Sequence, residues 1–277
     1  MTTRAQKILR RTLVGGALAG GLTLLLTFSV DAVGEPRVAL VGAIIALLAV
    51  AGSWEAVRMG PTPPVGALPL MGAALLGSFA AQDWSRLVEP LGGLGPALRS
   101  LVVVAPLAVV LSARAGAAGI RANLVRAVWI TPPLMAVLEV FATGGREALI
   151  VLILLSKIGD IAGYYVGSAI GKRHPFPRLS PGKTVAGCVG SLVAGVLAGL
   201  ACASGGLLEG LLPAAVLGGV LNVAAQAGDL LESWFKRTGG VKDSGVVFGP
   251  SGGVLDVVDS LLLTGPAYLA VAPLLFS

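Results

Sequence analysis

Residues 211–260 read LLPAAVLGGVLNVAAQAGDLLESWFKRTGGVKDSGVVFGPSGGVLDVVDS. The stretch opens with an apolar run over 211–231, long enough to cross a bilayer. That run ends on Asp229, Glu232, Ser233 and Lys236, spaced i, i+3, i+4 and i+7. On a continuing helix the four side chains share one face. Thr238-Gly239-Gly240 and Gly249-Pro250-Ser251-Gly252-Gly253 follow, and neither sustains regular helix. Asp256 and Asp259, again i and i+3, then open a last apolar run over 255–275. The polar segment between the runs turns the chain back, so two acid-bearing helix ends can meet.

Outward from this stretch the chain stays apolar. It has 277 residues, 55% hydrophobic and 12% charged, with a mean hydropathy of +0.89. A soluble domain carries about 25% charged residues, so too few polar groups remain to cover a water-facing surface. Disorder is excluded by the same hydrophobicity. The fold class expected is an all-α polytopic membrane protein. Apolar runs at roughly 13–30, 37–54, 65–82, 95–113, 124–143, 148–170, 184–205, 211–231 and 255–275 predict about nine transmembrane helices. The first run is preceded by Arg4, Lys7, Arg10 and Arg11, as in a signal peptide, but it is long and a second span follows at once.

With the N-terminus cytoplasmic and the spans alternating, fifteen of the twenty Lys and Arg residues fall inside and four outside; Lys157 lies within a span. That orientation places loops 171–183 and 232–254 in the cytoplasm. Residues 1–145 form about five N-terminal spans with almost no internal charge. Residues 146–277 form a C-terminal catalytic region, where Lys157, Asp160, Asp229, Glu232, Asp256 and Asp259 move to or into the spans. A charge near the bilayer midplane costs about 2.5–3.5 kcal/mol on insertion scales, so such residues are candidates for function.

Carboxylates at the end of one helix and the start of another, with basic residues between, suit a divalent cation held with phosphates. Mg²⁺ takes one or two carboxylates plus substrate oxygens and water, and Lys or Arg neutralises the remaining phosphate charge. Taken singly, Asp256 and Asp259 would suit the positive end of a helix dipole, and Lys236 and Arg237 would mark the cytoplasmic side. The depth of Asp229 is what that reading leaves unexplained.

A second polar segment, Lys157–Gly187, reads KIGDIAGYYVGSAIGKRHPFPRLSPGKTVAG. Asp160 interrupts an apolar span among Gly159, Ala162 and Gly163, which permit close helix approach. A local ion pair with Lys157 is the plain alternative to a functional role. Gly182-Lys183-Thr184 is not a P-loop, because Pro177 stands where its first glycine belongs and no strand precedes it. As the opening of a helix, the turn still offers a cation and backbone N–H groups to a phosphate. His174 is the only histidine and reads as solvated. With Cys188 and Cys202 fourteen residues apart in one apolar run, neither a zinc ligand set nor a disulfide is expected. No Gly-x-Ser-x-Gly elbow with a later histidine exists, so a serine hydrolase is unsupported.

Ser233, Lys236-Arg237, Lys242-Asp243, Gly252-Gly253, Asp256, Asp259 and Ser260 stand in the register of the phosphatidate cytidylyltransferase (CDP-diacylglycerol synthase) signature. Gly228-Asp229-Leu230, Asp160 and Ser180-Pro181-Gly182-Lys183-Thr184 are similar to further stretches of that family, and the resemblance covers roughly residues 150–262. Three positions depart from it: Ser251 replaces a histidine, Val257 an arginine, and Ala186 an acidic or amide residue. The chain therefore resembles a divergent member.

The resemblance implies transfer of CMP from CTP to phosphatidate or a related lipid phosphate, releasing pyrophosphate, in the bacterial inner membrane with the site facing the cytoplasm. It implies Mg²⁺, with room for a second cation, on Asp229 and Asp256. Asp229, Lys236, Asp256 and Asp259 are the expected catalytic residues, and Asp160, Lys183, Ser233, Arg237 and Lys242 the expected substrate-binding residues. No nucleic-acid partner is expected, and a homodimer is allowed. Two alternatives stand beside this reading: a CTP-dependent polyprenol or phytol kinase, separable by its CDP product, and an ion-coupled transporter.

Overall fold

The computed structural model describes residues 20–21, 24, 26–30, 37–59, 70–75, 96–111, 116–248 and 252–276. Its elements are helices: α1 (Val38–Arg58), α2 (Pro96–Leu111), α3 (Gly116–Ile170), α4 (Val185–Ser204), α5 (Leu211–Thr238), α6 (Val254–Val258) and α7 (Leu261–Leu275). Five helical stretches among the described residues are long and apolar enough to cross a membrane: α1, α3, α4, α5 and the α6–α7 run over Val254–Leu275. The runs expected at 13–30 and 65–82 lie largely outside the described residues, as does Ser251. In the run expected at 95–113, α2 is a shorter apolar helix of 16 residues.

α3 is the centre of the bundle. Its 55 residues would extend about 80 Å if straight, far beyond a hydrocarbon core of about 30 Å. Gly145 breaks it, with φ 66° and ψ −160°, a backbone conformation that a side chain rarely tolerates. The runs expected at 124–143 and 148–170 fall on either side of that break. α3 packs against α1, α2, α4, α5 and α7. Its Ile130, Leu134, Leu138, Phe141, Leu152 and Leu155 form one core with Ile45 and Ala49 of α1, Leu217 and Leu221 of α5, and Leu255 and Leu262.

Small residues set the distance between α3 and α4. A methyl on Gly163 would stand 3.1 Å from the Gly187 carbonyl oxygen, and one on Gly187 would stand 2.7 Å from that of Gly163. With little hydrophobic force between helices in lipid, such close backbone approach is what holds them together. The turn before α4 is capped as its sequence suggests: Thr184, in an extended conformation, accepts a hydrogen bond from Gly187 N at 3.0 Å. Lys183 therefore leads directly into a helix start beside α3 and α5.

Candidate active site

α5 continues through Thr238, so Asp229, Glu232, Ser233 and Lys236 all lie on helix. Their i, i+3, i+4 and i+7 spacing puts them on one face, which α7 and α6 cover. Glu232 is fully buried, and Ser233 and Lys236 nearly so. Lys236 Nζ donates to Glu232 Oε2 at 2.5 Å and to Asp256 Oδ1 at 2.6 Å. One cation thus joins α5 to α6, which satisfies two carboxylates that would be costly to bury unpaired.

Asp256 is held from its other oxygen. Its Oδ2 accepts from Gly253 N at 2.8 Å, Ser244 N at 2.9 Å and Ser244 Oγ at 2.7 Å. Asp259, at the turn into α7, takes its own local bond from Ser260 N at 2.6 Å and faces Lys157 of α3 at 3.6 Å. Lys157 also donates to the Val257 carbonyl at 2.7 Å. Lys157 of α3 therefore turns to Val257 of α6 and to Asp259 in the turn after it, partners outside the local Lys157–Asp160 pair that spacing alone offered.

Asp229, Glu232 and Asp259 each offer an oxygen within 4.8 Å of the others. Glu232 Oε1 is buried with no hydrogen-bond partner among the described residues. Three carboxylates converging around an orphaned oxygen fit a bound cation, which is the chemistry such a donor set serves. Asp256 stands outside this trio.

Beside the trio lies a cavity of about 230 Å³, lined by residues that include Asp160, Tyr164, Lys183, Ser191, Gln226 and Asp229. Lys183 Nζ pairs with Asp229 Oδ2 at 2.7 Å. On the cavity's inner side, Gln226 donates to Asn222 at 2.7 Å and Asn222 to Ser191 at 3.0 Å, a polar chain between α4 and α5. Asp160 lies at the cavity wall with its residue surface exposed.

The structure thus brings Asp160, Lys183 and Asp229 together in one place, and Lys236, Asp256 and Glu232 in another next to it. Arg237 donates to the carbonyls of Leu179 and Val241 at 3.3 and 3.1 Å. Lys242 is exposed on the connecting segment. Glu232 was legible as a helix-face neighbour of Asp229. Ser244, which holds Asp256, and Glu55, which accepts from the backbone of Val254 and Leu255, were missed; the only signal for Glu55 was a lone acid at the end of an apolar run.

The sequence matches the cytidylyltransferase family over residues 11–275. A phosphatidate cytidylyltransferase of Brucella suis is 42% identical over 118 residues, which cover 43% of this chain and 44% of that protein. One from Aquifex aeolicus is 37% identical over 123 residues, 44% of this chain and 46% of the relative. The uncharacterised protein YnbB of Escherichia coli is 38% identical over 127 residues, 45% and 42% of the two chains. The alignments therefore span less than half the length of these relatives.

Proposed function

The chain belongs to the cytidylyltransferase family, and on that premise we propose that it transfers the CMP moiety of CTP to phosphatidate, giving CDP-diacylglycerol and pyrophosphate. The observation that carries the reading is the meeting of Asp229, Glu232 and Asp259 beside a cavity into which Lys183 is built, at adjoining helix ends. A lipid phosphate and a nucleoside triphosphate both bring negative charge, and a site serving both needs cations at headgroup depth. We place that site at the cytoplasmic face of a bacterial inner membrane, following the bias of Lys and Arg.

The lipid phosphate oxygen attacks the α-phosphorus of CTP in line; a P–O bond forms there as the bond to the pyrophosphate oxygen breaks. Such transfers depend on positioning and charge neutralisation more than on covalent help from the protein. Lys183, at the start of α4, binds phosphate oxygens and exchanges its bond to Asp229 for one to substrate. Lys236 is fixed by Glu232 and Asp256 and presents positive potential to the departing pyrophosphate. Lys157 neutralises Asp259, while Asp160 and Ser233 help place substrate, and Arg237 and Lys242 add positive charge at the approach.

Mg²⁺ on Asp229, when bound, would neutralise phosphate charge and polarise the phosphoryl oxygens. Asp256 was the expected second ligand, but its oxygens are already engaged by Lys236, Ser244 and Gly253. The geometry gives better support to Asp259 and Glu232 as companions of Asp229, with Asp256 acting through Lys236.

Purified protein supplied with labelled CTP, Mg²⁺ and a panel of lipid phosphates should form a CDP-lipid and one pyrophosphate per turnover. Release of CDP would instead identify a lipid kinase. Asp256→Asn should abolish pyrophosphate release while leaving membrane insertion intact, and unaltered turnover would remove that residue from the site.

A further inference from the structure

Glu55 lies 199 residues before Val254 in sequence, yet it is bonded to the segment that carries Asp256. It sits in the last turn of α1 and is 4% exposed. Its Oε1 accepts from Val254 N at 2.8 Å, and its Oε2 accepts from Leu255 N at 2.9 Å. Ser244 Oγ stands 2.9 Å from the same Oε2 and 2.7 Å from Asp256 Oδ2. The hydroxyl has one proton and so bridges the two carboxylates by serving one at a time. Gly245 and Gly253 pass against the Glu55 carboxylate; a methyl on Gly245 would stand 2.5 Å from Oε1.

These contacts converge on one consequence. The first N–H groups of α6 have no partner within the helix, and a buried end without acceptors is unstable. Glu55 supplies two acceptors from a different helix, so it decides where α6 begins. Gly253 N and Ser244, both beside Glu55, are also what hold Asp256, and Asp256 in turn holds Lys236. We propose that Glu55 is a positioning residue of the transferase site: it ties Ser244, Val254 and Leu255 to α1 and thereby sets Asp256 against Lys236. The proposal rests on the transferase reading above and extends it to the N-terminal part of the chain.

Glu55→Gln preserves size but replaces one acceptor oxygen with a donor, which then faces a backbone N–H. In membrane-embedded or detergent-purified protein, turnover should fall at least tenfold and KM for CTP should rise several-fold. Val41→Ala serves as the comparison, because Val41 is a core residue of the same helix, 1% exposed and outside the site. That variant should lower the melting temperature without changing turnover per folded molecule. Glu55→Gln kinetics within twofold of wild type would overturn the proposal, as would an equal loss of turnover in Val41→Ala.

Should Glu55→Gln fail to accumulate, Ser244→Ala removes only the bridge and should still lower turnover several-fold; unchanged turnover there counts against the proposal. A wild-type protein that releases no pyrophosphate would refute the transferase reading by itself. In that case hydrogen exchange at the Val254 and Leu255 amides remains decisive, since Glu55→Gln should accelerate it and unchanged exchange would end the anchoring claim.

Discussion

Lys236 holds the most demanding position of any single side chain in the site. It is 8% exposed and bonded to two carboxylates on different helices. Removing one partner of such a buried group costs about 3–5 kcal/mol, because the remaining charges lose their compensation. Lys236→Met should therefore lower the melting temperature markedly and cut turnover by two orders of magnitude or more. Adding Glu232→Leu removes one of the two carboxylates left uncompensated and should restore part of the stability but none of the activity. Recovery of activity in the double variant would show that Lys236 acts only as structural support. Its position at i+4 from Glu232 was visible in the sequence. Its bond to Asp256 was not, since that depends on how α6 packs against α5.

At the scale of elements, the juxtaposition of α5 and α7 depends on Gly228. A methyl there would stand 2.6 Å from the Asp259 carbonyl oxygen, so the two backbones meet just where Asp229 and Asp259 are carried. Gly228→Ala should push the helices apart and lower turnover at least tenfold in the pyrophosphate assay. Gly219→Ala on the same helix meets only ordinary contact, Val196 at 3.4 Å, and should leave turnover near wild type. Equal effects of the two changes would argue against a local displacement at the site. Hydropathy ended the run over 211–231 at residue 231, whereas α5 continues to Thr238. The apolar pattern stops there, but the helix persists because its charged face is satisfied by α6 and α7 instead of lipid.

At the scale of the whole molecule, α5 sets the vertical frame. Its 28 residues rise about 42 Å, enough to carry the chain from one surface of a bilayer to the other. Glu209 and Lys242, both exposed, lie just beyond its two ends. In a background without Cys188 and Cys202, Lys242→Cys should react with a membrane-impermeant thiol reagent only from the cytoplasmic side, and Glu209→Cys only from the other. The reverse pattern would overturn the orientation proposed for the site. The membrane class, the spans on either side of Gly145 and the acidic faces of the C-terminal helices were legible in the amino-acid order, because hydropathy and helical spacing are local properties of the chain. Spacing along a helix defines a face but not the neighbour that face meets. That Asp259 joins Asp229 and Glu232, that Lys157 reaches Val257 and Asp259, and that Glu55 anchors α6 all follow from packing between distant segments, where close backbone contact and the need to satisfy buried polar groups select the partners.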